Sequence, residues 1–172
     1  MGPVVDESLS NWLLRPFQSS QTFQNLQRHP HCIFHTTDNV LQIVSLILGQ
    51  PLEFEFEPTS EGWLLQSACH WYELEIRSWD TSQPRSEAKA MLVRDGDLRP
   101  FWGWNRAKHA VLEATILMTR LHLLDRSYVE QEFDRLAIPV EKTAGPNEEK
   151  AWSMLNEHLS NHHWGVDETV GS

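Results

Sequence analysis

The hydrophobic period of this chain changes at Asn105, and that change limits what it can fold into. Before it, Trp71-Tyr72-Glu73-Leu74-Glu75-Ile76-Arg77 alternates apolar and polar side chains, as a strand with one buried face does. The strand is expected to run on to Trp79. Asp80 to Glu87 is turn-rich, and Ala88-Lys89-Ala90-Met91-Leu92-Val93 returns as the partner. Trp12-Leu13-Leu14 and Cys32-Ile33-Phe34 read as further short strands, and Glu53-Phe54-Glu55-Phe56-Glu57 as a strand or extended edge. Such a meander fits an antiparallel barrel. Two helices interrupt it: a short one from about Thr22 to Gln27, and a buried one that opens after Thr36-Thr37-Asp38 and stops at Gly49. After Asn105, Ala107, Ala110, Val111, Ala114, Leu117, Met118, Leu121 and Leu124 recur at helical spacing and predict one long helix. Ser127-Tyr128-Val129-Glu130 has the form of a capping box for a second, which Pro139 is expected to end. Pro146 marks the start of a third, and the tail after Asn161 is expected to fray.

Composition narrows the function classes. The 172 residues suit one domain with a helical appendage, and 14 basic against 24 acidic side chains give a net charge of −10. A field of that sign repels nucleic acid and anionic membranes, so neither is an expected partner. The longest apolar run, Val40 to Leu48, is too short to span a bilayer. Residues 1–10 show no basic start followed by an apolar core, and Cys32 and Cys69 stand alone, which together point to a reducing, cytoplasmic setting. His29, His31 and His35 cluster and His162 and His163 are adjacent, but none has metal-site spacing, so no metal is expected. No nucleophile–base arrangement can be assembled, and no catalytic residue is assigned.

The stretch Leu14-Arg15-Pro16-Phe17-Gln18-Ser19-Ser20-Gln21-Thr22-Phe23-Gln24-Asn25-Leu26 carries the chemistry. It gathers a guanidinium, hydroxyls and the amides of a helix start at one point, the parts of a phosphate cradle. The plain alternative is that Ser20 only caps the helix, a gain of roughly 1 kcal/mol, while Arg15 pairs with a surface acid. Asn105-Arg106-Ala107-Lys108-His109 is a second oddity. Cations in a first helical turn oppose the macrodipole, at a few tenths of a kcal/mol each, unless an anion or nearby acids compensate.

The first stretch, with Phe34-His35-Thr36-Thr37-Asp38-Asn39-Val40-Leu41, resembles an FMN-binding split-barrel family, domain of unknown function 447, related to flavin reductases. Phe101-Trp102-Gly103-Trp104-Asn105-Arg106-Ala107-Lys108-His109-Ala110-Val111-Leu112-Glu113-Ala114 and Val140-Glu141-Lys142-Thr143-Ala144-Gly145 follow in the family's order. The resemblance implies an α+β fold. Residues 1–104 would form a flavin-binding split β-barrel and residues 105–172 a helical extension packed on it. It also implies FMN as cofactor, with Arg15, Ser20, Thr22 and Asn25 at the phosphate and ribityl chain and Thr36, Thr37 and Asp38 along the flavin. Asn105, Arg106 and Lys108 would serve the far side of the phosphate or a second anion. An oxidoreductase of unknown substrate and a homodimer with tryptophans at its interface are expected. The alternative is a flavin-binding or interaction protein without turnover. In the family a similar Met-Gly-Pro follows a first hairpin, so a hairpin is expected upstream of Met1.

Overall fold

In a computed structural model the described residues are 2–51 and 53–164; Met1 and residues 165–172, part of the tail expected to fray, lie outside them. The chain divides into two compact units, Met1–Thr37 with Phe54–Phe101, and Asp38–Glu53 with Trp102–Ser172.

The first unit is an open antiparallel sheet built on a long hairpin. Strands β1 (Val4–Val5), β2 (Asn11–Leu14) and β3 (His31–Thr36) precede a small separate pair, β4 (Phe56–Pro58) and β5 (Trp63–Leu65); β6 (His70–Asp80) and β7 (Glu87–Asp97) complete the set. The five-stranded sheet has the order β1-β2-β7-β6-β3. The alternation read in Trp71–Arg77 is that of β6. Its inner face buries Leu74 and Ile76 with Trp12, Ala88 and Ala90, and helix α1 (Gln21–Arg28) adds Leu26. Trp12 packs against Phe34 and Tyr72 with ring centroids 5.3 and 4.9 Å apart, tilted contacts that add to the area they bury.

The outer face is covered by the β4–β5 pair; of the expected Glu53–Glu57 strand only Phe56 and Glu57 fall in β4, which runs on to Pro58. Gly62 lies so close to β3 that a Cβ there would meet Ile33 Cδ1 at 3.2 Å. Arg94 on β7 pairs with the buried Glu73 carboxylate at 2.7 Å and donates to Ser60 Oγ at 3.3 Å. The Leu65 amide donates to His35 Nε2 at 3.0 Å.

The second unit packs four helices: α2 (Val40–Ile47), α3 (Arg106–Met118), α4 (Arg126–Thr143) and α5 (Pro146–Ser160). Val44, Ala107, Val111, Ala114, Val129, Ala151 and Leu155 are wholly buried. The alanines let neighbouring helices approach α3 closely.

Four expectations about helix ends are corrected. Asn39, not Thr36 to Asp38, caps α2, its Oδ1 accepting from the Gln42 amide at 3.3 Å. The helix from Asn105 stops at Met118, and Leu121–Leu123 forms a separate 3-10 turn. The α4 cap is Asp125, so Ser127 lies inside the first turn. Helix α4 also runs through Pro139 to Thr143. Buried Val140 anchors that last turn, and the Thr143 hydroxyl donates to the Pro139 carbonyl at 2.7 Å. Packing thus outweighs the missing proline amide.

Docking of the β4–β5 pair should depend on pH. Burial holds the His35 imidazole below its ordinary value of 6.5, and only the form with Nε2 unprotonated accepts from Leu65. The folded state therefore binds fewer protons than the unfolded one in the window just below pH 6.5, and stability falls as pH falls through it. The protection of the Leu65 amide against hydrogen exchange, measured relative to its intrinsic base-catalysed rate, is expected to fall from pH 7.5 to 5.5. His35→Gln should remove most of that pH dependence.

Candidate functional site

The turn from β2 into α1 is built by long-range stitching to the β6–β7 loop. The Gln18 amide donates to the Pro84 carbonyl, and its side chain donates to the carbonyls of Thr81 and Gln83 at 2.9 and 2.7 Å. Ser86 Oγ donates to the Pro16 carbonyl at 2.8 Å, and Arg85 Nε to the Arg15 carbonyl at 3.0 Å. Arg85 also lies over the Phe17 ring, 4.8 Å from its centroid. Sequence reasoning missed Arg85, Ser86 and Gln18 as supports, because their partners lie more than sixty residues away and leave no local pattern.

On this fixed turn, Arg15 donates from Nε to Glu87 Oε1 at 3.0 Å, and its two terminal nitrogens make no hydrogen bond among the described residues. Ser20 caps α1: its Oγ accepts from the Phe23 amide at 3.2 Å and donates to the Phe17 carbonyl at 2.7 Å. Thr22 and Asn25 are exposed on α1, Asn25 accepting from Gln21 at 2.8 Å. Cap and surface ion pair, the plain reading of Ser20 and Arg15, are therefore both present. They coexist with two guanidinium nitrogens that carry no hydrogen bond and with the exposed Thr22 hydroxyl beside the helix start.

Thr36 and Thr37 belong to the same unit but to its other end. Thr36 lies opposite His70 at the start of β6, whereas Glu87, the partner of Arg15, lies opposite Asp80 at its end. Ten residues of strand separate them, about 30 Å. The two threonines line a cavity of ≈340 Å³ with Cys69 and Phe101. Thr36 also faces a neighbouring cavity of ≈440 Å³ that includes His70 and Asp97. His70 is held from both sides, Nδ1 to Asp97 at 2.7 Å and Nε2 to Asp95 at 3.0 Å. Burial, then the Asp95 and Asp97 charges, hold the neighbouring Tyr72 hydroxyl above its ordinary value. Burial pushes the Cys32 thiol to about 11, so it offers no thiolate near neutral pH.

The remaining candidates lie in the second unit. Lys108 Nζ donates to Asp38 Oδ2 at 2.7 Å, and Asp38 is 8% exposed. Asn105 caps α3, its Oδ1 accepting from the Lys108 amide at 2.9 Å, and its Nδ2 donates to the Thr143 carbonyl. The acid that compensates Lys108 against the helix dipole is therefore Asp38, seventy residues away. Arg106 is exposed and carries no ion pair among the described residues. No group of three or more His, Cys, Asp or Glu among them is placed to hold a metal ion, and no helix among them is long and apolar enough to cross a membrane.

Two family models match: the N-terminal domain of a protein of unknown function (DUF447) over residues 1–97, and the model for protein of unknown function (DUF447) over residues 105–157. The fold is shared with an FMN-bound DUF447 protein, MM1853 of Methanosarcina mazei. That structure is 21% identical, with a TM-score of 0.71, over 91% of this chain and 85% of that one. The flavin reductase HpaC complexed with NADP+ (10% identity, TM-score 0.49, 58% of this chain and 68% of that one) is too distant to carry an argument. So is the styrene monooxygenase flavin reductase of Pseudomonas putida S12 (14%, 0.47, 57% and 67%). No curated protein matches.

The buried ion pair and the exposed arginine at the start of α3 should behave differently on mutation. Lys108→Met leaves the Asp38 carboxylate buried without its cation and is expected to destabilise the protein by about 3 kcal/mol. Asp38→Asn in the same chain should restore most of the loss. Arg106→Ala should change stability by less than about 0.5 kcal/mol. Urea denaturation of the four proteins measures all three differences.

Proposed function

The chain belongs to the DUF447 family, and we propose that it binds FMN through the turn between β2 and α1 and works as a flavin-dependent oxidoreductase. The supporting observation is the set of uncommitted donors on a rigid turn. Glu87 engages Arg15 only through Nε, which orients the guanidinium and leaves both terminal nitrogens to a phosphate. Ser20, Thr22 and Asn25 add polar groups at the adjoining helix start. In a chain of net charge −10 a dianion needs such a local site. The FMN-bound state of the similar M. mazei protein points to the same ligand.

A bound flavin supplies the hydride or electron transfer through its own ring. The chain's residues bind and orient it, and none is required as acid or base in this reading. Because about 30 Å of strand separates Arg15 from Thr36, one flavin cannot touch both within one copy. A homodimer in which one copy's cradle faces the other's Thr36-Thr37 turn satisfies both contacts. Trp102 and Trp104, 84% and 99% exposed, offer apolar surface of the kind that interfaces cover.

The direct test is the visible spectrum of the purified protein and mass identification of what heat releases. Colourless protein that also fails to quench FMN fluorescence at micromolar concentration would reject the reading. Arg15→Ala is expected to weaken FMN about ten- to a hundredfold, the loss of one charge-assisted contact, and to leave riboflavin nearly unchanged. Equal weakening of both ligands would assign Arg15 to the fold alone.

A further inference from the structure

We propose that the cleft between α2 and α5 is a second binding site, for a small amphipathic carboxylate: an apolar body with one anionic head. The cleft lies wholly within the second unit and has a volume of ≈430 Å³, within the range of small-molecule sites. Leu41, Ser45 and Leu48 recur at i, i+4, i+7 and so share one face of α2. Lys150, Met154 and His158, at i, i+4 and i+8, likewise share one face of α5.

Ser45 points to a ligand. It is 3% exposed, yet its hydroxyl has no hydrogen-bond partner among the described residues. The buried Thr115 on α3 shows the usual remedy, donating to the Val111 carbonyl one turn back at 2.7 Å. Ser45 makes no such bond and lines the cleft instead. The hydroxyl is not sealed from solvent, since His31 Nδ1 is the sealed side-chain polar atom without a partner among the described residues; it opens on the cleft, where a ligand oxygen would bond it.

The rest of the lining sets the ligand's chemistry. Leu41, Leu48 and Met154 form an apolar floor, with Met154 able to adapt to varied shapes. Lys150 carries no ion pair among the described residues, although acids outnumber bases 24 to 14 in this chain. Glu157 lies two turns further along α5 and repels an anion at that end. The anionic head therefore belongs beside Lys150 and the apolar body over Met154. This inference is independent of the flavin reading, since no residue of the β2–α1 turn takes part.

The test is an amide-resonance titration of the protein with sodium octanoate, hexanoate, octanol and inorganic phosphate. Octanoate is expected to shift resonances of α2 and α5, Ser45 among them, and to bind about tenfold tighter than hexanoate, from the two further buried methylenes. Lys150→Gln, an exposed change that leaves the core intact, should weaken octanoate about fivefold and leave octanol unchanged. Ser45→Ala should weaken octanoate while preserving its preference over hexanoate. The proposal is overturned if octanoate shifts nothing on α2 and α5, or if phosphate alone binds there. It is equally overturned if octanoate and octanol bind alike in both the parent and Lys150→Gln proteins.

Discussion

The first unit depends on the pairing of β6 with β7. Among the described residues β3 is held in the sheet by the eleven-residue β6 alone, and β2 by the eleven-residue β7 and the two-residue β1. The register shifts twice, between Glu73 and Leu74 and between Ile76 and Ser78. Each irregularity bends and twists the arm, so a sheet of few strands wraps the Trp12, Leu74 and Ala88 core. Gly96 is part of the same fit, because a Cβ there would meet the Trp71 indole nitrogen at 3.0 Å. The loop that closes the arm holds the Arg15 turn, so register errors in the arm would disturb fold and candidate site together.

Several charged side chains among the described residues use long-range partners to position other groups. Arg85 holds the Arg15 carbonyl, Arg99 donates to the Ser67 carbonyl at 2.8 Å, and Arg94 neutralises Glu73. Each uses a guanidinium nitrogen in a fixed direction, which suits arginine better than lysine. Lys108 is the lysine that does comparable work, and its target, Asp38, is a carboxylate that needs only a point charge. The excess of acid over base makes the arginines that retain free donors, Arg15 and Arg106, stand out.

What was legible in the sequence follows from the range of the forces involved. The β6 alternation and the α3 alanine pattern were readable because each is the imprint of one buried face on consecutive residues. Arg15, Ser20 and the helix after them were readable for the same local reason. The β4–β5 pair was poorly legible, since both Phe56 and Trp63 are more than half exposed and no single buried face dictates the pattern. The path of α4 through Pro139 was hidden because the propensity of one residue lost to packing by Val140, Leu136 and Phe133. The Lys108–Asp38 and Arg15–Glu87 pairs join residues about seventy apart, which no window along the chain contains.

The two ends of the β6–β7 arm bear on how a flavin protein of this family is put together. One end carries fixed donors in a polar turn; the other carries Thr36, Thr37, Cys69 and Phe101 around a cavity. Anion recognition needs directed donors, whereas an aromatic ring needs an apolar slot. A single sheet separates these requirements by its own length, because the stiff strands that make each end rigid also hold the ends apart. In the proposed homodimer, antiparallel association of two copies would bring unlike ends together without bending either sheet, and two-fold symmetry would then yield two equivalent sites. The stiffness that fixes the Arg15 turn is thus the same property that makes assembly part of the proposed site.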